Sequence, residues 1–300
     1  MKRLGRMAAI GFCALWAGAR PAAAERLDVF VSIPPQAYLV ERIGREHVEV
    51  ALMVQAGQDP HTFEPSPRQM MALADARLYL KIGMPFETRL LEKIEGAYAR
   101  LSVVDMAAGV QKRMMEPHHH QEGQHGEGAD EDDDEEERAE PDPHVWLSPP
   151  LLEVMARNTA RALAEADPAN VAEYEENLEE LIEDIERTHA RVQEVLAPCR
   201  GRAFYTFHPA FGYFGDAYGL RQVAVEAEGK SPTPRQLTEL IGRARREGVN
   251  IIFVQPQFDR RAAQSVADGI GGAVVPMDPL ARDVLANLET MAAQVEAALR

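Results

Sequence analysis

Residues 202–225 read RAFYTFHPAFGYFGDAYGLRQVAV, and this stretch decides the fold. The apolar, aromatic run at 202–207 suits a buried strand. Pro209 opens a helical stretch over 209–218, and a second apolar run follows at 222–225. Strand, helix and strand in that order make a parallel βαβ unit. The scheme continues outward. Helices are expected over 234–247, 260–269 and 282–299, and strands over 250–254 and 273–276. The first part of the chain repeats it, with strands at 27–33, 48–54, 78–82 and 101–105. Helices there are expected from about 35, over 67–76 and over 85–95.

Two helices are expected between these halves, over 150–164 and 168–197. In the second, Val171, Tyr174, Leu178, Leu181, Ile185, Val192 and Val195 recur at helical spacing. Asp167 is placed to cap it, with Pro168 in the first turn. At about 1.5 Å per residue it reaches roughly 42 Å, the height of a two-lobed protein. A coiled-coil dimer helix fits less well, because the pattern is short and both neighbours are globular. The expected class is α/β: two lobes, each a mainly parallel four-stranded sheet flanked by helices, joined by a long rigid helix. The lobes fall at 25–149 and 199–300, with linking helices over 150–198.

The 300 residues carry 32 Lys and Arg against 48 Asp and Glu, a formal charge of −16. A nucleic-acid partner is excluded on that balance, since phosphate binding needs clustered cations. Residues 1–24 have the form of a secretory signal. Lys2, Arg3 and Arg6 precede a short apolar run, and Ala22 and Ala24 supply small residues before the cut. The mature chain is therefore expected in the periplasm, as a monomer. Cleavage removes four basic residues and takes the charge to −20; it also leaves Cys199 as the sole cysteine, so no internal disulfide can form.

Much of the negative charge is concentrated. The segment 116–142 holds thirteen acids and one base, together with His118, His119, His120 and His125. It has almost no apolar residues to offset the entropy of ordering, so a disordered loop is expected. Histidine tracts bind divalent transition metals weakly, and these four are read as auxiliary metal contacts. The acidic run by itself reads as a solubilising insert.

Three histidines sit where strands give way to helices. They are His61 in Asp59-Pro60-His61, His144 in Asp142-Pro143-His144, and His208 in Phe207-His208-Pro209. In parallel α/β sheets, ligands bind at the carboxyl ends of the strands. Proline beside each histidine stiffens its loop. A fourth ligand is sought in the second half, where Asp278 ends the last strand. Capping the final helix is its alternative role, and Asp283 competes as a ligand. Three imidazoles and a carboxylate suit tetrahedral Zn²⁺, whereas Mg²⁺ and Ca²⁺ prefer oxygen. Glu64 and Asp142 are placed to orient ligand histidines by accepting their second N–H. Affinity is expected to weaken as histidine protonates below about pH 6.

The four segments Asp59-Pro-His61-Thr-Phe-Glu64-Pro65, Asp142-Pro-His144-Val-Trp-Leu147, Phe207-His208-Pro-Ala210-Phe211-Gly-Tyr-Phe214 and Asp278-Pro-Leu280-Ala281 resemble the signatures of metal-type solute-binding proteins of ABC importers, the cluster A-I type. The resemblance covers about residues 25–300. A histidine- and acid-rich loop before the second motif resembles the zinc branch, as does histidine at the third position, where manganese members commonly have glutamate. The resemblance implies one metal in a cleft between two α/β lobes. His61, His144 and His208 would be ligands, with Asp278 or water as the fourth. It also implies Zn²⁺ as the transported ligand and an ABC permease with its ATPase as partners. The histidine tract would hand metal to the cleft, buffer it, or accept it from another protein such as a metallochaperone.

Three functions compete. The first is zinc capture and delivery without catalysis. The second is the same role for manganese. The third is an exported zinc hydrolase with a metal-bound water, for which Glu64 is the nearest base by sequence and no His-Glu-x-x-His pair is present.

Overall fold

The computed structural model describes residues 26–115, 141–226, 233–258 and 260–300. The N-terminal segment and the tract from His118 to His125 lie outside these residues. Met114 pairs with Pro141, and Asp142 N–H donates to the Arg113 carbonyl at 2.8 Å. The last two residues of the expected loop are therefore ordered, and Asp142 is buried.

The first lobe contains β1 (Leu27–Val31), α1 (Pro34–Gly44), β2 (Val48–Leu52), α2 (Pro67–Asp75), β3 (Leu78–Lys81), α3 (Pro85–Ile94) and β4 (Ser102–Asp105). Its strands lie parallel in the order β2-β1-β3-β4. Helix starts follow from local chemistry. Two prolines occupy the first turn of α1, where a missing N–H costs nothing, and the Gln36 side chain accepts from the Ser32 and Ile33 N–H groups. Ser66 and Gln69 form a capping box at α2.

The second lobe contains β5 (Ala203–Thr206), α6 (Gly212–Tyr218), β6 (Arg221–Ala224), α7 (Pro234–Arg246), β7 (Ile251–Val254), α8 (Arg260–Ile270), β8 (Ala273–Pro276) and α9 (Val284–Leu299). Its order, β6-β5-β7-β8, repeats that of the first lobe, again all parallel. Gly219, at φ 69°, closes α6 in the left-handed conformation that glycine adopts without strain.

Between the lobes, α4 (Pro149–Ala166) is followed by α5 (Val171–Leu196), the long linking helix. The expected helix start at Pro168 is instead a 3-10 turn over Pro168–Asn170. Asp167 accepts from the Asn170 side chain and the Tyr174 hydroxyl, both at 2.6 Å. Tyr174, Leu181, Ile185 and Val192 of α5 are buried, as the spacing requires, whereas Val195 near its end is exposed. The helix is bonded to both lobes. Arg42 of α1 pairs with Asp184 at 2.6 Å, Asn177 donates to the Ile43 carbonyl at 2.9 Å, and Arg191 pairs with Glu289 of α9 at 3.0 Å. One apolar core runs from β1 through α4 and α5 to α9, and a smaller one lies around β7 and α8. Cys199 is a buried free thiol.

Candidate metal centre

His61, His144 and His208 come together from three separate loops. His61 Nε2 lies 3.2 Å from His144 Nε2 and 3.2 Å from His208 Nε2. His144 and His208 are buried, while His61 is partly exposed. Nitrogens held tetrahedrally about 2.0–2.1 Å from one ion lie roughly 3.3 Å apart. The spacing thus suits a single ion bound by all three rings.

Each loop fixes its histidine locally. Asp59 Oδ1 accepts from His61 N–H at 2.9 Å, and Thr62 donates to Asp59 Oδ2 at 2.9 Å. Asp142 Oδ1 accepts from His144 N–H at 2.9 Å and lies 2.7 Å from His144 Nδ1. Both are Asx turns, in which the aspartate bonds the backbone two residues on. His208 is held differently. Gln255 accepts from its N–H at 3.2 Å and donates to its carbonyl at 2.7 Å. The ring stacks on Phe258 at 4.9 Å, and Nδ1 lies 3.2 Å from Glu226 Oε2. A carboxylate can only accept, so Asp142 and Glu226 place a proton on Nδ1 and leave the Nε2 lone pair for a metal.

The electrostatics favour neutral rings at His61 and His144. Burial, reinforced by the nearby His144 and His208, lowers the His61 pKa from 6.5 to about 2. Burial also lowers the His144 pKa, with Asp142 acting in the opposite direction. Metal ligation needs the neutral imidazole, so the site is prepared for a cation.

Residues 29–298 match the family model described as "ZnuA: Zinc-uptake complex component A periplasmic". The chain belongs to the ZnuA family. A crystal structure of ZnuA superimposes with a TM-score of 0.82 at 36% identity, covering 92% of this chain and 100% of that one. A zinc-bound ZnuA deletion mutant gives a TM-score of 0.81 at 36% identity, covering 92% and 98%. The high-affinity zinc uptake system protein ZnuA of Brucella abortus (strain 2308) is 27% identical over 289 residues, covering 87% of this chain and 86% of that protein. ZnuA-family proteins bind metal for uptake, and this chain is a metal-binding protein of that kind rather than an enzyme. The hydrolase reading falls with that assignment.

Two sequence expectations meet a different arrangement in this ZnuA-family fold. Asp278 is not among the converging ligand atoms. It builds a third Asx turn, with Oδ1 accepting from Leu280 N–H at 2.9 Å, so it repeats the role of Asp59 and Asp142 and Leu280 stands where those turns carry histidine. Asp283, not Asp278, caps α9 by accepting from Ala286 N–H at 3.0 Å. Glu64 does not orient a ligand: its exposed carboxylate lies 3.7 Å from Arg89. That role falls to Glu226, which sequence reasoning missed. The usable signal was its place just past the expected strand at 222–225, on the same sheet edge as His208. A second group of ligand-type atoms, Glu46, His47 and Glu173, lies on the surface, where His47 and Glu173 are hydrogen-bonded at 2.6 Å.

Proposed function

We propose that the mature protein captures Zn²⁺ in the periplasm and delivers it to an ABC permease with its ATPase. The N-terminal 24 residues direct export and are removed. Zn²⁺ binds between the lobes through Nε2 of His61, His144 and His208, and water completes the tetrahedron. The observation that carries this reading is the convergence of the three Nε2 atoms, at 3.2 Å for both His61 pairs. Their nitrogen chemistry favours Zn²⁺ over the oxygen-seeking ions. Manganese would be better served by carboxylate ligands, and the converging group contains none among the described residues.

Capture needs little rearrangement of the rings. Asp142 and Glu226 set the donor nitrogens beforehand, and α5 is bonded to both lobes, so opening is local. His61 has the freest ring. Its backbone is held by Asp59, but no carboxylate bonds its Nδ1 among the described residues. We assign it as the ligand that joins last and leaves first. The tract with His118, His119, His120 and His125 serves as an auxiliary, weaker collector.

Metal-free protein titrated with Zn²⁺ and Mn²⁺ in competition, with total metal analysis, tests the reading. One tight equivalent of zinc that manganese does not displace is expected. Displacement by equimolar manganese would overturn the choice of ion.

A further inference from the structure

The turn that carries His144 belongs to the first lobe but is held by the second. Asp142 N–H donates to the Arg113 carbonyl at 2.8 Å, and Met114 pairs with Pro141, so residues 113–114 and 141–142 lie side by side. Both sides of this pairing meet α6, the helix that follows His208. The Tyr213 hydroxyl of α6 accepts from Arg113 N–H at 2.9 Å and donates to the Asp142 carbonyl at 2.9 Å. The Arg113 guanidinium donates to the Gly212 carbonyl at 2.8 Å and pairs with Asp216 at 2.6 Å. It packs so closely on Gly212 that a β-carbon there would lie 2.9 Å from Cζ.

The direction of the Tyr213 bonds is fixed. A backbone N–H can only donate and a carbonyl can only accept, so the hydroxyl proton goes to Asp142. Tyr213 and Asp142 are both buried, so removing the hydroxyl takes a partner from two backbone groups that water does not readily replace. Asp142 in turn sets His144, through Oδ1 to the ring Nδ1 at 2.7 Å and to the backbone N–H at 2.9 Å. His208 is held by Gln255 and Glu226 of the second lobe. A continuous path of contacts therefore runs from His144 through Asp142 and Tyr213 into the lobe that fixes His208. The two rings it relates lie 5.4 Å apart.

We propose that Tyr213 is a positioning residue for the metal centre. Its hydroxyl registers His144, a ligand from the first lobe, against the second-lobe frame that holds His208. It acts through Asp142 and touches no metal. The role rests on the zinc reading above and adds to it the contact that sets two of the three nitrogens relative to each other across the lobes.

The test compares Tyr213→Phe, Asp142→Ala and the two combined, in the full mature chain, with Tyr218→Phe as control. Tyr218 lies on the same helix, but its hydroxyl faces His189 at 3.2 Å. Zinc affinity is measured by chelator competition, and the melting temperature of metal-free protein reports folding. Tyr213→Phe should weaken zinc binding about tenfold, the low end of the range for outer partners. The double variant should match Asp142→Ala alone, and Tyr218→Phe should bind as wild type does. Wild-type affinity in Tyr213→Phe, whatever its melting temperature, would overturn the proposal. So would an equal loss in Tyr218→Phe, or losses that add in the double variant. Should Tyr213→Phe not fold, Arg113→Ala decides, because it removes only a partly exposed guanidinium from the same contact. Reduced zinc affinity there supports the role, and wild-type affinity overturns it. A wild-type chain lacking any tight zinc equivalent would instead sink the zinc reading itself.

Discussion

His61 Nε2 and His208 Nε2 lie 3.2 Å apart although 147 residues separate them in sequence. One follows β2 in the first lobe, the other follows β5 in the second. Neither lobe can form the site without the other, and the linking helix sets their separation. Replacing His61, His144 or His208 with alanine should therefore weaken zinc binding by more than the 10–100-fold typical of losing an outer partner. Chelator competition on the three variants checks this. Retention of wild-type affinity by any of them would remove that residue from the ligand set.

Glu226 offers a sharper test, because no motif marks it. Its carboxylate faces His208 Nδ1 at 3.2 Å with both side chains buried. Glu226→Ala should lower zinc affinity about 10–100-fold, and Glu226→Gln, which retains an acceptor, should lose less. Equal affinities for wild type and Glu226→Ala would show that His208 needs no orienting partner.

The pH response should differ from that of an exposed histidine site. In the folded chain His61 resists protonation down to about pH 2, whereas the unfolded chain takes up that proton near pH 6.5. Between those values the unfolded state binds more protons, so metal-free stability falls as pH falls. The slope is at most about 1.4 kcal/mol per pH unit for each such histidine. Protons therefore compete with zinc for His61 and His144 only at lower pH than for an exposed histidine. For His61 and His144 the protonation expected near pH 6 moves downward, because burial holds those two rings neutral. Melting curves of metal-free protein and zinc titrations across this range read both effects; a tenfold affinity loss between pH 7 and pH 6 would contradict them.

Zinc binding to the folded state alone should raise the melting temperature. Free zinc at 100 times Kd adds about 2.7 kcal/mol, and at 1,000 times Kd about 4.1 kcal/mol. Scanning calorimetry at graded zinc should show this logarithmic rise in wild type and its loss in His208→Ala. A zinc-independent melting temperature would mean that the ion does not bind the native cleft.

The fold was readable because its punctuation is local. Pro34, Pro67, Pro85 and Pro234 each open a helix, and apolar runs of four or five residues became strands in the expected places. The three histidines were readable for a related reason: proline-stiffened loops at the carboxyl ends of strands can point only toward the cleft. Outer partners were harder to read. Glu64 is three residues from His61, yet its loop turns it outward to Arg89, while Glu226 approaches His208 from the end of a neighbouring strand. Asp142 was legible because its partner is two residues away, within the turn it builds. Asp278 follows the same turn chemistry, which gives its Oδ1 a structural role before any metal role.

X-ray absorption at the zinc edge, on protein carrying one equivalent of zinc, tests the central claim most directly. Three imidazole nitrogens and one oxygen at about 2.0–2.2 Å are predicted, with one imidazole lost in each of the three histidine-to-alanine variants. A zinc shell with fewer than three imidazoles in the wild-type protein would contradict it.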